Sequence, residues 1–152
     1  MRQHGGARRR RDADRESGVS AIEFVLLTPL LFFLIFATVQ FALYFFARHV
    51  AIAAAQEGAR VARAEAANPA EATTWRGDAV AEAKVWINRL APSLLPDALV
   101  PLPTQSGTPG ANGWTVSVSV TATVPSLFPW ANLTVTETST GPVEQFIPDP
   151  GN

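Results

Sequence analysis

The stretch that decides the architecture is Phe24-Val25-Leu26-Leu27-Thr28-Pro29-Leu30-Leu31-Phe32-Phe33-Leu34-Ile35-Phe36-Ala37-Thr38-Val39-Gln40-Phe41-Ala42-Leu43-Tyr44-Phe45-Phe46-Ala47, 24 residues without a charge. As a helix rising roughly 1.5 Å per residue it measures about 36 Å, enough to cross a hydrocarbon core of about 30 Å. Its flanks differ sharply. Residues 1–18 carry six arginines against Asp12, Asp14 and Glu16, a net +3. Residues 48–152 carry six bases and nine acids, and Glu23 stands alone between the two parts. Basic tip, apolar bar and mildly acidic body argue against a freely soluble protein. The 105 residues beyond the bar suffice for one small domain.

Several chemistries are absent at the level of composition. Without cysteine there is no thiol nucleophile, disulfide or Cys-ligated zinc. The two histidines, His4 and His49, lie on opposite sides of the bar, which leaves no basis for an imidazole-based catalytic or metal site. No metal, cofactor or enzymatic activity is expected. Four successive arginines, Arg8 to Arg11, could attract phosphates. However, residues 98–152 contain no Lys or Arg, and a basic run just ahead of a span is the ordinary signal for a cytoplasmic N-terminus. A nucleic-acid partner is therefore not expected. The membrane is, with the C-terminal body exported.

A cleaved secretory signal would need an apolar region of roughly 7 to 15 residues followed by a small-residue site, and this bar is too long. An uncleaved anchor and a leader cut on the cytoplasmic side remain. They are separated by Ser17-Gly18-Val19-Ser20-Ala21-Ile22-Glu23-Phe24, where a glycine closes the polar leader and one acid follows five residues later. Gly18 offers a protease an unhindered backbone, and its flexibility favours a site outside the helix. Glu23 is an ionisable group at the head of a charge-free span, costly to desolvate without a partner. Pro29 removes one helical hydrogen bond and is expected to kink the span.

This pattern, Gly18-x-x-x-x-Glu23-Phe24 with Pro29 and a Leu/Phe-rich run behind it, resembles the type IV pilin-like processing site in its tight-adherence (Flp/Tad) form. A second stretch, Gln56-Glu57-Gly58-Ala59-Arg60-Val61-Ala62, is similar to the segment that follows the span in TadE-like minor pilins. The resemblance implies a pseudopilin of the tight-adherence pilus, a structural component rather than an enzyme. It further implies a prepilin peptidase that cuts between Gly18 and Val19, and partners among Flp-like pilins, TadF-like minor pilins and an inner-membrane assembly platform. In that setting Glu23, Phe24 and Pro29 belong to the processing and assembly motif. The uncleaved single-span protein with an exported binding domain stays open as the alternative.

Beyond the bar, the alanine-rich run from Ala47 to Ala64 extends the helix outward, with Tyr44, Arg48 and His49 as interface anchors. Glu57 and Arg60 are spaced to pair on one face. Gly58, costly in a helix, points to a close helix contact. Asn68-Pro69-Ala70-Glu71 reads as a helix restart with Asn68 as N-cap and Glu71 as a capping acid. Gly77 weakens its middle, and a firmer helix runs from about Asp78 to Ala91. That helix turns Ala79, Ala83, Trp86, Ile87 and Leu90 to one face, with Trp86 in the core.

Ten of the 12 prolines lie from Pro92 onward, and there the pattern becomes alternating. Trp114 to Val124 puts valines and Ala122 on one face and Ser/Thr on the other. Asn132 to Thr140 repeats this with Leu133 and Val135 inward. Pro101 and Pro103 confine a third strand, Leu99 to Thr104, to an edge. Asn132-Leu133-Thr134 matches a glycosylation acceptor, but inside an expected strand it is read as chance. The expected fold is α+β: a transmembrane helix continuing into a small exported domain with a second helix and a two- to three-stranded antiparallel sheet. The expected divisions are leader 1–18, span 19–47, helix extension 48–67, exported domain 68–140 and disordered tail 141–152.

Overall fold

The computed structural model describes residues 6–68, 71–109, 113–128 and 130–143, with side chains in the first helix from residue 21 onward. Five elements follow one another: α1 (Gly6–Glu65), α2 (Trp75–Leu90), β1 (Thr104–Ser106), β2 (Thr115–Val124) and β3 (Leu133–Pro142). The fold is α+β, and the chain divides into two compact units, residues 1–40 and 41–152.

Among the described residues the first unit consists of helix alone. Its apolar side chains lie exposed around the helix, among them Phe24 (71%), Leu30 (62%) and Phe33 (60%). A helix that is apolar all round is suited to lipid rather than to water. The hydroxyls within it are satisfied locally: Thr28 Oγ1 donates to the Phe24 carbonyl at 2.7 Å and Thr38 Oγ1 to the Leu34 carbonyl at 2.8 Å. Among the described residues this is the one helix long and apolar enough to cross a membrane. It fits a single-pass membrane protein.

In the second unit the C-terminal part of α1 changes character. Ala47, Val50, Ala51, Ala54, Ala55, Ala59, Ala62 and Ala66 are all buried, a stripe with helical spacing built from small side chains. Such a stripe lets other backbones approach closely. α2 contributes Trp75, Ala79, Ala83 and Ile87, spaced four apart. Beneath lies an antiparallel sheet of order β1-β2-β3. Its inner face is Val116, Val118, Val120, Ala122 and Val124 of β2 with Val135 of β3, all buried. The outer face pairs hydroxyls across the ladder: Ser117 with Thr140 (2.7 Å), Ser119 with Thr138 (2.8 Å) and Thr121 with Thr136 (3.0 Å). The alternation in the sequence is thus the alternation of the pleat.

Several local expectations need correction. The helix does not restart at Asn68. The amides of Asn68, Glu71 and Thr74 bond to the carbonyls of Glu65, Asn68 and Glu71, a chain of three-residue turns, and α2 begins only at Trp75. Gly77 therefore falls in the first turn of α2 rather than in a weak middle. Trp75 is the buried indole of α2, at 2% exposure, whereas Trp86 sits at the core's edge with Nε1 donating to Glu82 Oε1 at 2.9 Å. At that edge the Trp86 N–H finds its acceptor one turn back on its own helix. Leu90 is exposed at the helix end.

The third strand is split by its prolines. Leu99 exchanges both backbone bonds with Thr121, Pro101 and Pro103 have no N–H to give, and regular pairing resumes at Thr104 opposite Ser117. Gly107, at φ 90°, turns the chain out of β1; a side chain there would also crowd the Trp114 backbone at 3.3 Å. The last strand runs further than its alternation suggested. Gly141 and Pro142 pair with Val116 and Thr115, and the Val143 amide bonds to the Trp114 carbonyl at 3.0 Å. The expected disordered tail thus begins no earlier than residue 144, and the remainder of it lies outside the described residues.

Candidate processing and assembly site

Gly18 and Val19 lie within α1, whose helical backbone runs unbroken from Gly6 to Glu65. This corrects the expectation that Gly18 stands outside the helix. One glycine costs about 1 kcal/mol in a helix, and the Ala, Arg and Glu residues of the leader are good helix formers, so the helix carries through.

One turn further on, Glu23 is exposed and Phe24 projects fully beside it. Glu23 is the last charge before the 24-residue apolar run. Pro29 sits inside the helix. It leaves the Val25 carbonyl without its usual donor, while the Thr28 hydroxyl caps the neighbouring Phe24 carbonyl. The arrangement holds the ingredients of a recognition element: a bare backbone position, an acid at fixed helical distance and an apolar shaft behind them. Among the described residues no group of three or more His, Asp or Glu is placed to hold a metal ion.

The second candidate group belongs to the domain. Arg60 Nε donates to Glu57 Oε2 at 2.7 Å across one turn on the outside of α1, and Glu57 raises the Arg60 pKa by accepting this bond. Gly58 faces the other way and is buried. A Cβ placed on it would lie 2.9 Å from the Ala79 carbonyl oxygen, 3.1 Å from Val118 Cγ1 and 3.2 Å from Ala83 Cβ. Gly58 is therefore where α1, α2 and β2 meet within one chain. The three residues are neighbours in sequence but serve opposite faces.

Two long-range contacts escaped sequence reasoning. Arg48 Nε lies 2.7 Å from Glu137 Oε1, and the Arg63 guanidinium lies over Gly141, where a Cβ would come within 2.7 Å of Nη1. Both tie α1 to β3. Nothing local marks them: 89 residues separate Arg48 from Glu137.

The motif, the exposed apolar helix behind it and the Gly58 contact can now be set against known proteins. Residues 18–60 match the family of TadE-like proteins. The matched stretch opens on Gly18 and closes on Arg60, so it contains all the candidate residues and ends before α2. It bears out the TadE-like resemblance and supports association with the tight-adherence pilus system and its other components. That family is one of structural pilus parts, not of enzymes. Searches of curated proteins and of solved structures give no match.

Proposed function

We propose that the protein is a TadE-like minor pilin, or pseudopilin, of a tight-adherence pilus. A prepilin peptidase matures it by cutting between Gly18 and Val19. The +3 leader sets the topology, N-terminus in the cytoplasm and domain exported, and is then removed; the chain of net −1 becomes one of net −4. Residues 19–47 hold the subunit in the membrane and later offer the same apolar surface to neighbouring pilin helices. Residues 48–67 form the extension and 68–140 the bulk of the exported domain.

The observation that carries this reading is the register of Gly18, Glu23 and Phe24 at the head of an all-round apolar helix, inside the stretch that matches the family. N-terminal sequencing of the membrane-extracted protein from cells that express the peptidase tests it. Val19 as first residue is the expected result, and a bulky residue in place of Gly18 should leave the full-length form. An intact leader in the natural protein would instead assign it as an uncleaved anchor with an exported binding domain.

A further inference from the structure

Exposed apolar residues of the second unit occur on α2 (Val85, Leu90) and before β1 (Leu99, Leu102), but the exposed aromatic ones are Phe41, Phe45, Phe46 and Trp130, and two contacts between α1 and β3 show that these share one end. Arg48 meets Glu137, and Arg63 lies over Gly141, so β3 and this part of α1 advance in the same direction. Followed backwards, β3 reaches its start at Leu133 four residues before Glu137, about 13 Å at roughly 3.3 Å per residue. That distance equals about nine residues of helix. The start of β3 therefore lies on the apolar side of Arg48, and Leu133 is half-buried against the same core as Leu43 and Tyr44.

The connection from β2 into β3 must lie at this end as well. It carries Leu127, 46% exposed, and Trp130, 80% exposed, with the Phe128 ring 5.5 Å from the Trp130 ring. On α1 the same end shows Phe41, Phe45 and Phe46 to solvent, the last aromatic residues of the charge-free run. A tryptophan this bare is expensive in water, and an amphipathic indole is most at home at the level of lipid headgroups. Asp97 limits how far this end can enter lipid, because a carboxylate is costly in the hydrocarbon core. It lines, together with Phe128, an open cavity of about 320 Å³, which fits the headgroup layer rather than the acyl chains.

We propose that the loop bearing Leu127, Phe128 and Trp130 is a second membrane contact, seated in the outer headgroup layer beside the helix. It fixes the domain on the lipid surface until the subunit is extracted for assembly. The proposal rests on residues 24–47 being the membrane span, and its occupant is lipid, chosen because the loop is continuous with the apolar end of that span.

The test uses the full chain in phosphatidylcholine vesicles, with lipids brominated near the top of the acyl chain as the quencher. Resistance to alkaline carbonate extraction is measured on the same vesicles. Trp130→Phe is compared with the natural protein; Trp130 is mostly exposed, and an unchanged far-ultraviolet circular dichroism spectrum and melting temperature check that the fold survives. Expected is a carbonate-resistant protein whose tryptophan emission is quenched by the brominated lipid, with most of that quenching lost in Trp130→Phe. A carbonate-resistant protein in which aqueous iodide, and not bromolipid, quenches the Trp130 component overturns the proposal alone. Shielding of Trp130 from both quenchers assigns the loop to a protein neighbour and likewise overturns it. Extraction by carbonate overturns the membrane reading and the proposal together.

Discussion

A side chain at position 58 has nowhere to go. The nearest obstacle to a Cβ is the Ala79 backbone oxygen at 2.9 Å, which cannot rotate aside as the tip of a long side chain could. Gly58→Ala gains about 1 kcal/mol of helix propensity but incurs overpacking of about 1–3 kcal/mol, so a net loss of stability is expected. Gly58→Leu should abolish the packing of α2 on α1, seen as loss of the near-ultraviolet signal of Trp75 and Trp114 in detergent, while the span still inserts. A pilus defect in that variant would then report on the domain itself. Glu65 makes the opposite case, a residue whose present side chain is poorly placed. Its Oε2 is buried without a partner, and burial first, then the like charges of Glu71 and Asp78, raises its pKa. A carboxyl whose folded pKa is raised contributes its stability below its unfolded value and loses it as pH rises through the folded one. Mild acid should therefore raise the melting temperature of the natural protein. Glu65→Gln should melt higher than the natural protein near pH 7, with the difference shrinking toward pH 4. A variant that melts lower near neutrality would show that the ionised carboxylate is satisfied.

At the scale of elements, β2 separates two kinds of energetics along one strand. Val118 is fully buried beneath Gly58, whereas Ser119 beside it pairs its hydroxyl with Thr138 on the open face. Val118→Ala should cost about 2 kcal/mol through lost contacts and an unfilled cavity, and Ser119→Ala about 0.5 kcal/mol or less. Equal losses in denaturant titrations would mean that the outer face is covered. This two-faced strand was legible in the sequence because a pleat and its alternation are local, and the same holds for the apolar bar and the Ala/Gly stripe of α1. The boundaries of α2 were not legible. Asn68 and Pro69 have the chemistry of a helix start, yet the turn out of α1 leaves helical pairing to begin at Trp75. The last strand was shortened for a similar reason: Gly141 and Pro142 look like breakers, but Gly141 is the position that lets Arg63 cross. In the candidate site the spacing of Gly18, Glu23, Phe24 and Pro29 was legible and the family resemblance is what attached a proposed processing role to it, while the burial of Gly58 needed partners about 20 and 60 residues away.

At the scale of the whole molecule, the proposed maturation would give Glu23 a task that neither unit of structure needs for its own stability. It is exposed, and it stands at the head of a stretch with no other charge. In lipid an acid at the centre of a span costs about 2.5–3.5 kcal/mol; at the edge of the charge-free run, where Glu23 stands, the cost is smaller. Retaining the acid therefore does not endanger insertion. Cleavage after Gly18 would create a protonated amino terminus at Val19, about 6 Å away along one helical turn at roughly 1.5 Å per residue. That amine, or the same amine on an adjacent subunit, is a partner that exists only after processing. Pairing it with Glu23 once the helices leave lipid for a filament would set the axial register between subunits. Two populations must then be measured in a Glu23→Ala strain: membrane-held protein, by carbonate-resistant fractionation, and pilus-incorporated protein, by blotting of sheared filaments. The variant should insert and be cut normally yet be lost from the sheared fraction, because removal of the acid leaves the amine without its counter-charge in the packed helices. Natural levels of Glu23→Ala in filaments would refute the pairing, and loss from both fractions would place the role of Glu23 in insertion instead.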